Sequence, residues 1–549
     1  TNRTMRTSTT IASQLLNDDV VTGNDNEGGT LHRTLGAFDL TLLGIGASIG
    51  SGIFVLSGVA LHEAGPGVIF SFAISAAVCM LDALCYAELS SRFPMSGGPY
   101  LYCKMVFGRV PAAIVGMNLL FDYHIGAAAI ARSFAGYLGN LVASGPDGSE
   151  GTHWIEAMPI SGILSFNVIA PLLLAMLTFV LCRGVSEGAI LNRLLTGTKL
   201  ITIAVVIIAG FSRCNFHLWT PLFPEGVSPV ASQAATLCFA YIGFDAIANS
   251  AEEVARPSVD IPIAIVSSLS ICAILYIGVV LALAGLVSYK DVDDEAPLAS
   301  AFDAKSGMRW ARIVVDIGGV IGLSTTLLVG LYAQARVYLG MARDGELPSF
   351  LAKVNAKYDS PLMAQLTCGL VAAVLATFFN VHMLASLLSI GVLTSYSSVA
   401  AATIVLRTDN RSIAEPTLIC AILLSGSLSL CLRLSNTPIW IIIMISILLL
   451  CTSYPLLYLM KFKEILKEEN VFSCPGMPIV PWCALCCNVG LMVLLPVAAW
   501  IRLGIVSLLI YSYSKWNSDG SDQTSSASRR RSGSGENGKF FASSSSSSS

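Results

Sequence analysis

Two short stretches hold the residue types best suited to chemistry. One reads Gly44-Ile45-Gly46-Ala47-Ser48-Ile49-Gly50-Ser51-Gly52-Ile53-Phe54. Glycine at this density lowers the cost of unwinding a helix and lets a ligand approach the backbone. Unwinding frees N–H groups, and the half-helix that follows points its positive end at the gap, which suits a carboxylate. Tight helix packing through small residues would use the same glycines. The other stretch reads Phe239-Ala240-Tyr241-Ile242-Gly243-Phe244-Asp245-Ala246-Ile247-Ala248-Asn249 and continues to Ala251-Glu252-Glu253. A break there frees carbonyls, which accept hydrogen bonds from an ammonium group. Carbonyls on one side and amides on the other form a receptor for a zwitterion.

Ionisable residues inside apolar runs are expensive in lipid, and each is a functional candidate. Asp122 lies midway along one such run, where it could face a cationic side chain of a ligand or hydrogen-bond a neighbouring helix. Lys199 lies about nine residues into another, roughly 14 Å deep at 1.5 Å per residue. An ammonium there can replace a sodium ion between two helices and can lose its proton when desolvated. It can equally be a fixed structural charge. Asp245 follows the break in the second stretch and either relays a proton or bonds freed backbone groups. Glu252, Glu253 and Glu88 fall toward one end, where pairing with Arg or Lys would form an inner gate. Asp82 has no role that the sequence explains.

Helices in lipid must position these groups. Charged residues make up 12% of 549, hydrophobic ones 54%, and mean hydropathy is +0.71, against about 25% charge in a soluble chain. Apolar runs of about 20 residues each cross a hydrocarbon core of roughly 30 Å. About fourteen such spans are predicted, at 38–60, 67–90, 109–131, 160–182, 190–211, 231–253, 262–287, 311–337, 363–380, 383–406, 414–433, 437–460, 478–499 and 500–515. The two stretches above interrupt spans 1 and 6 at mid-depth. Paired, Gly-interrupted segments at matching positions point to an inverted repeat with its site at the breaks. The expected fold is an all-α integral membrane protein with a ten-helix core over 38–406 and four accessory helices over 407–515. These lie between a cytoplasmic tail, 1–37, and a Ser-rich disordered tail, 516–549.

Other classes find little support. Net charge is −3, and no basic face suits nucleic acid. The C-x-x-C spacing within Cys483–Cys487 has no second pair or nearby histidine, so no metal site is expected. Asp122, His124, Lys199 and Asp245 form no catalytic spacing, which argues against an enzyme. A channel would need a continuous polar stripe, whereas polar residues gather at two breaks. Basic residues divide about fifteen to seven between the two sets of loops, Arg502 being assigned to the poorer, outer set. The loop from Asp147 to Glu156 is acidic, as an outer loop should be. Both termini are therefore expected in the cytoplasm.

The motifs in spans 1 and 6 resemble the amino acid–polyamine–organocation superfamily, and within it the cationic amino acid transporter family, plant-type members above all. Cys85-Tyr86-Ala87-Glu88-Leu89-Ser90-Ser91-Arg92-Phe93-Pro94, Leu120-Phe121-Asp122-Tyr123-His124-Ile125-Gly126 and the run from Arg336 to Pro348 carry the likeness further. It implies that the amides of Ile49, Gly50, Ser51 and Gly52 hold a substrate carboxylate. It also implies that the carbonyls of Phe239, Ala240 and Ile242 hold the α-amino group. Asp122 stands where relatives commonly carry Glu, and Gly330 where a residue meets the substrate side chain and leaves room for a long one. Lys199 and Asp245 would couple transport to protons. Arg256-Pro257 replaces the usual Asn-Pro, and Pro99 replaces Ala.

The resulting expectation is a proton-driven permease of amino acids, cationic ones first and neutral ones such as Gln second, without cofactor. Its partners are small amino acids, protons and the lipid bilayer. Its place is the vacuole or another internal membrane ahead of the plasma membrane. The alternatives are a non-transporting sensor on the same fold and a neutral amino acid or polyamine permease. Oligomeric state is not readable.

Overall fold

The computed structural model describes Arg33 and residues 35–512 apart from short internal stretches, the longest being 144–157 and 460–471. Most of the expected N-terminal tail, the Ser-rich tail and the acidic loop at 147–156 lie outside the described residues.

The described residues open with a helix in three pieces, α1 (Ala37–Ser48), α2 (Ser51–Phe54) and α3 (Leu56–Ala64). Then come α4 (Val68–Arg92), the short α5 (Gly98–Phe107) and the long α6 (Arg109–Ala143). A hairpin of β1 (Met158–Ser161) and β2 (Leu164–Phe166) leads to α7 (Ile169–Cys182) and α8 (Val185–Ser212). A second broken helix follows, α9 (Ser228–Leu237) and α10 (Phe244–Asn249). Beyond it lie α11 (Pro257–Leu286), α12 (Pro297–Ala304), α13 (Arg309–Arg343), α14 (Leu362–Phe378) and α15 (Ile390–Leu406). The last four are α16 (Arg411–Arg433), α17 (Ile439–Tyr454), α18 (Ile479–Leu494) and α19 (Val497–Ser512).

Among the described residues, nine helical segments are long and apolar enough to cross a membrane, or ten if α18 and α19 form one bent span. Three further apolar helices, α7, α14 and α15, have 14, 17 and 17 residues. At 1.5 Å per residue these reach roughly 21–26 Å, short of a full core. The architecture is that of a multi-pass helical membrane protein.

Two predicted spans differ in detail. The first part of the span at 160–182 is the hairpin, with Met158 opposite Phe166 and Pro159 opposite Ser165. The helix begins only after Asn167, whose Oδ1 accepts the Ala170 N–H at 2.9 Å, the usual way an Asn side chain starts a helix. At the other end, α18 and α19 meet at 112°. Pro496 lacks an N–H and forces the residue before it to extend, and Leu495 has ψ 157°.

The site sits where α1, α6, α9–α10 and α13 converge. Around it α13 packs along α6 and α8, and α11 along α4 and α1. Arg132, buried on α6, caps the end of α14 by donating from Nε to the Ala376 carbonyl (2.5 Å) and from Nη2 to that of Thr377 (3.0 Å). A cation suits the negative end of a helix.

Candidate substrate site at two helix breaks

Both predicted interruptions are real. Helix α1 stops at Ser48, Ile49 turns extended at ψ 96°, and α2 resumes at Ser51. The Ile49 N–H donates to the Ile45 carbonyl at 2.9 Å and so closes α1. The second broken helix tightens into a 3-10 turn over Cys238–Tyr241, extends at Ile242 (ψ 116°), and resumes at Phe244. Within that turn the Phe239 carbonyl accepts the Ile242 N–H at 3.2 Å.

One side chain ties the two breaks together. The Tyr276 hydroxyl, buried on α11, lies 2.5 Å from the Ser48 carbonyl and 2.9 Å from that of Ala240. It has a single proton to share between them. The backbones approach closely enough to demand glycine at two points. A Cβ on Gly243 would lie 2.7 Å from the Ser48 backbone N, and one on Gly52 would lie 2.5 Å from the Ala240 Cα.

Lys199 reaches the first break from α8. Its Nζ donates to the carbonyls of Gly46 (2.8 Å) and Ile49 (2.6 Å). An unbroken helix would pair those carbonyls with N–H groups four residues on. Thr326 Oγ1, on α13, lies 3.2 and 3.0 Å from the same two oxygens. Lys199 is wholly buried and Thr326 nearly so. Together they join α8, α1 and α13 at a point where the sequence suggested a cation bridge.

A small cavity lies beside the breaks. Its walls include Ala47 and Ser48 of α1, Asp122, Gly126 and Ile130 of α6, Phe239, Ile242 and Asp245 of the second break, Leu327 and Gly330 of α13, and Val392 of α15. Asp122, Phe239, Ile242, Asp245 and Gly330 thus come together on its wall, whereas Ile49, Gly50, Gly52, Ala240 and Lys199 do not line it. A Cβ on Gly330 would meet nothing within 4 Å, so this glycine opens onto free space. Asp245 accepts the Tyr123 hydroxyl and the Ala246 N–H, the latter at 2.9 Å. Tyr123 in turn accepts Asn249 Nδ2 at 3.2 Å.

Asp122 bonds a neighbouring helix, one of the two readings its position allowed, and also meets a cation. Its Oδ2 accepts the Val392 N–H at the head of α15 (2.8 Å), and its Oδ1 lies 2.5 Å from Arg502 Nη2. Arg502 does not sit in an outer loop. The bend at Pro496 turns α19 so that this side chain is 10% exposed and set against a carboxylate that is 1% exposed.

Ion pairs close one end of the bundle. Glu253 meets Arg336 at 2.8 Å with both side chains buried, and Tyr332 donates to its other oxygen at 2.5 Å. Glu252 pairs with Arg343 (3.2 Å), Lys104 with Asp344 (2.5 Å), and Arg109 with Glu346. Glu88 holds Arg407 at 2.7 Å and the Cys474 N–H at 2.8 Å. Glu253, Glu252 and Glu88 therefore each have a basic partner.

The model of the amino acid permease family matches residues 35–513. The chain belongs to the amino acid permease family. It is 43% identical over 514 residues to the chloroplastic cationic amino acid transporter 9 of Arabidopsis thaliana, covering 90% of each chain. A branched-chain amino acid permease of Bacillus subtilis (strain 168) is 31% identical over 502 residues, 89% of this chain and 95% of its own. A methylthioribose transporter of the same organism is 37% identical over 391 residues, 69% and 82% respectively. This permease is accordingly a transport protein by family, not an enzyme.

Sequence reading missed Tyr276, Thr326 and Arg502. Tyr276 and Thr326 are single polar residues in apolar runs, a signal too common to stand out. Arg502 was legible as a charge, but its direction depends on the angle at Pro496.

Proposed function

We propose that this permease is a secondary active transporter of amino acids that works by alternating access and is driven by protons. The observation that carries the reading is the pair of backbone breaks, tied through Tyr276 and bordering one cavity. Once α1 loosens, the substrate carboxylate takes the amides of Ile49, Gly50, Ser51 and Gly52 at the head of the half-helix. The α-amino group takes carbonyls of Phe239, Ala240 and Ile242. The fold behind this is the fourteen-crossing form, a ten-helix inverted-repeat core with four accessory helices. The ion-pair rim around Glu253 and Arg336 is the inner gate.

Coupling resides in Lys199. Charged, it ties the first break to α8 beside Thr326 of α13; neutral, it holds those carbonyls more weakly and lets α1 move. Asp245 and Tyr123 offer a second proton position at the cavity wall. The side chain carried is not fixed by family, since the relatives are named for cationic amino acids, branched-chain amino acids and methylthioribose. Vacuole and chloroplast, the latter in the name of the Arabidopsis relative, are both internal membranes.

Uptake of radiolabelled leucine, glutamine and arginine into proteoliposomes, with and without an imposed pH gradient, tests the reading. Gradient-driven uptake that ignores sodium is expected. Sodium-stimulated uptake would refute proton coupling, and no uptake at all would favour a sensor.

A further inference from the structure

We propose that Arg502 determines specificity: it is a tethered counter-ion to Asp122 that restricts the cavity to amino acids with uncharged side chains. The inference rests on the transport reading above.

Asp122 is the cavity-wall carboxylate that a cationic substrate would be expected to seek. Both of its oxygens are already engaged, one by the Val392 N–H at 2.8 Å and the other by Arg502 at 2.5 Å. The remaining wall acid, Asp245, is held by Tyr123 and Ala246. Asp122 therefore offers no unmatched negative charge, and Asp245 is already occupied by two neutral hydrogen-bond donors.

Arg502 has strong reason to stay. Its Nε, Nη1 and Nη2 are buried and make no aligned hydrogen bond among the described residues, so Asp122 is the charge that balances it. An arriving arginine or lysine would have to displace a guanidinium attached to the same molecule, whose effective concentration no free solute matches. Success would leave Arg502 buried without its partner, the costly way to break a buried pair. A cation beside an intact pair would gain little and meet a like charge. The rest of the wall, with Ala127, Ile130 and Leu327 around the open space at Gly330, suits an apolar or uncharged side chain.

The test uses the full chain in proteoliposomes with radiolabelled leucine and arginine. The parent is expected to take up leucine well ahead of arginine. Arg502→Gln should raise the arginine-to-leucine ratio roughly tenfold or more, since it exposes a buried carboxylate to the substrate. Adding Asp122→Asn to that variant should abolish the gain and return the arginine-to-leucine ratio to that of the parent. If Arg502→Gln does not fold, competition in the parent decides. Excess arginine should leave leucine uptake unchanged, and inhibition equal to that by unlabelled leucine overturns the inference. Leucine uptake with an unmoved ratio in Arg502→Gln also overturns it while sparing the transport reading. No uptake of any amino acid by the parent overturns both.

Discussion

At the scale of single residues, the site is built from groups that correct a deliberate fault in the backbone. Breaking α1 leaves the carbonyls of Gly46 and Ile49 without helical partners, and Lys199 and Thr326 converge on them. The two are not equivalent. Thr326→Val keeps the shape and removes one hydroxyl, so it should cost about 1 kcal/mol and leave coupling intact. Lys199→Ala should abolish the response of uptake to a pH gradient, measured as the ratio of uptake with and without it. A ratio equal to that of the parent would make the lysine merely structural. Lys199 was legible in sequence because a charge in an apolar run is rare. Asp122 was legible for the same reason, but its partner was not, since nothing in the local pattern says which of two helices a carboxylate faces. Gly330 offers a third check at this scale. Gly330→Met should fill the space beside it and depress uptake of large substrates more than small ones.

At the scale of elements, the two broken helices work as one unit because α11 holds both. Tyr276→Phe removes the hydroxyl that lies against Ser48 and Ala240. It leaves buried carbonyls short of a donor, at a cost of about 1–3 kcal/mol. A lower thermal midpoint in detergent is expected, together with weaker substrate protection against heating. The breaks themselves were readable because glycine clusters are conspicuous against apolar runs. Boundaries elsewhere were less so. The hairpin at Met158–Phe166 was absorbed into a predicted span because strand and helix share the same apolar composition over a few residues. The bend between α18 and α19 was signalled by Pro496, yet proline announces a kink without giving its angle.

For the whole molecule, the described residues form a bundle tied shut at one end by charge. Glu253 and Arg336 are both buried there, so removing one strands the other. Arg336→Leu should destabilise the closed arrangement by about 3–5 kcal/mol. It should also increase labelling by a soluble thiol reagent of a cysteine introduced at Gly330. Unchanged labelling would mean that the rim is not the gate. A different consequence follows from where Asp122 and Arg502 fall along the chain. They are separated by about 380 residues. At roughly 5–20 residues per second of synthesis, some 20–80 s pass between them. The carboxylate thus enters the membrane long before its counter-ion has been made. During biogenesis it must wait as a neutral acid or against a borrowed partner, and arrival of α19 is the step that completes the site.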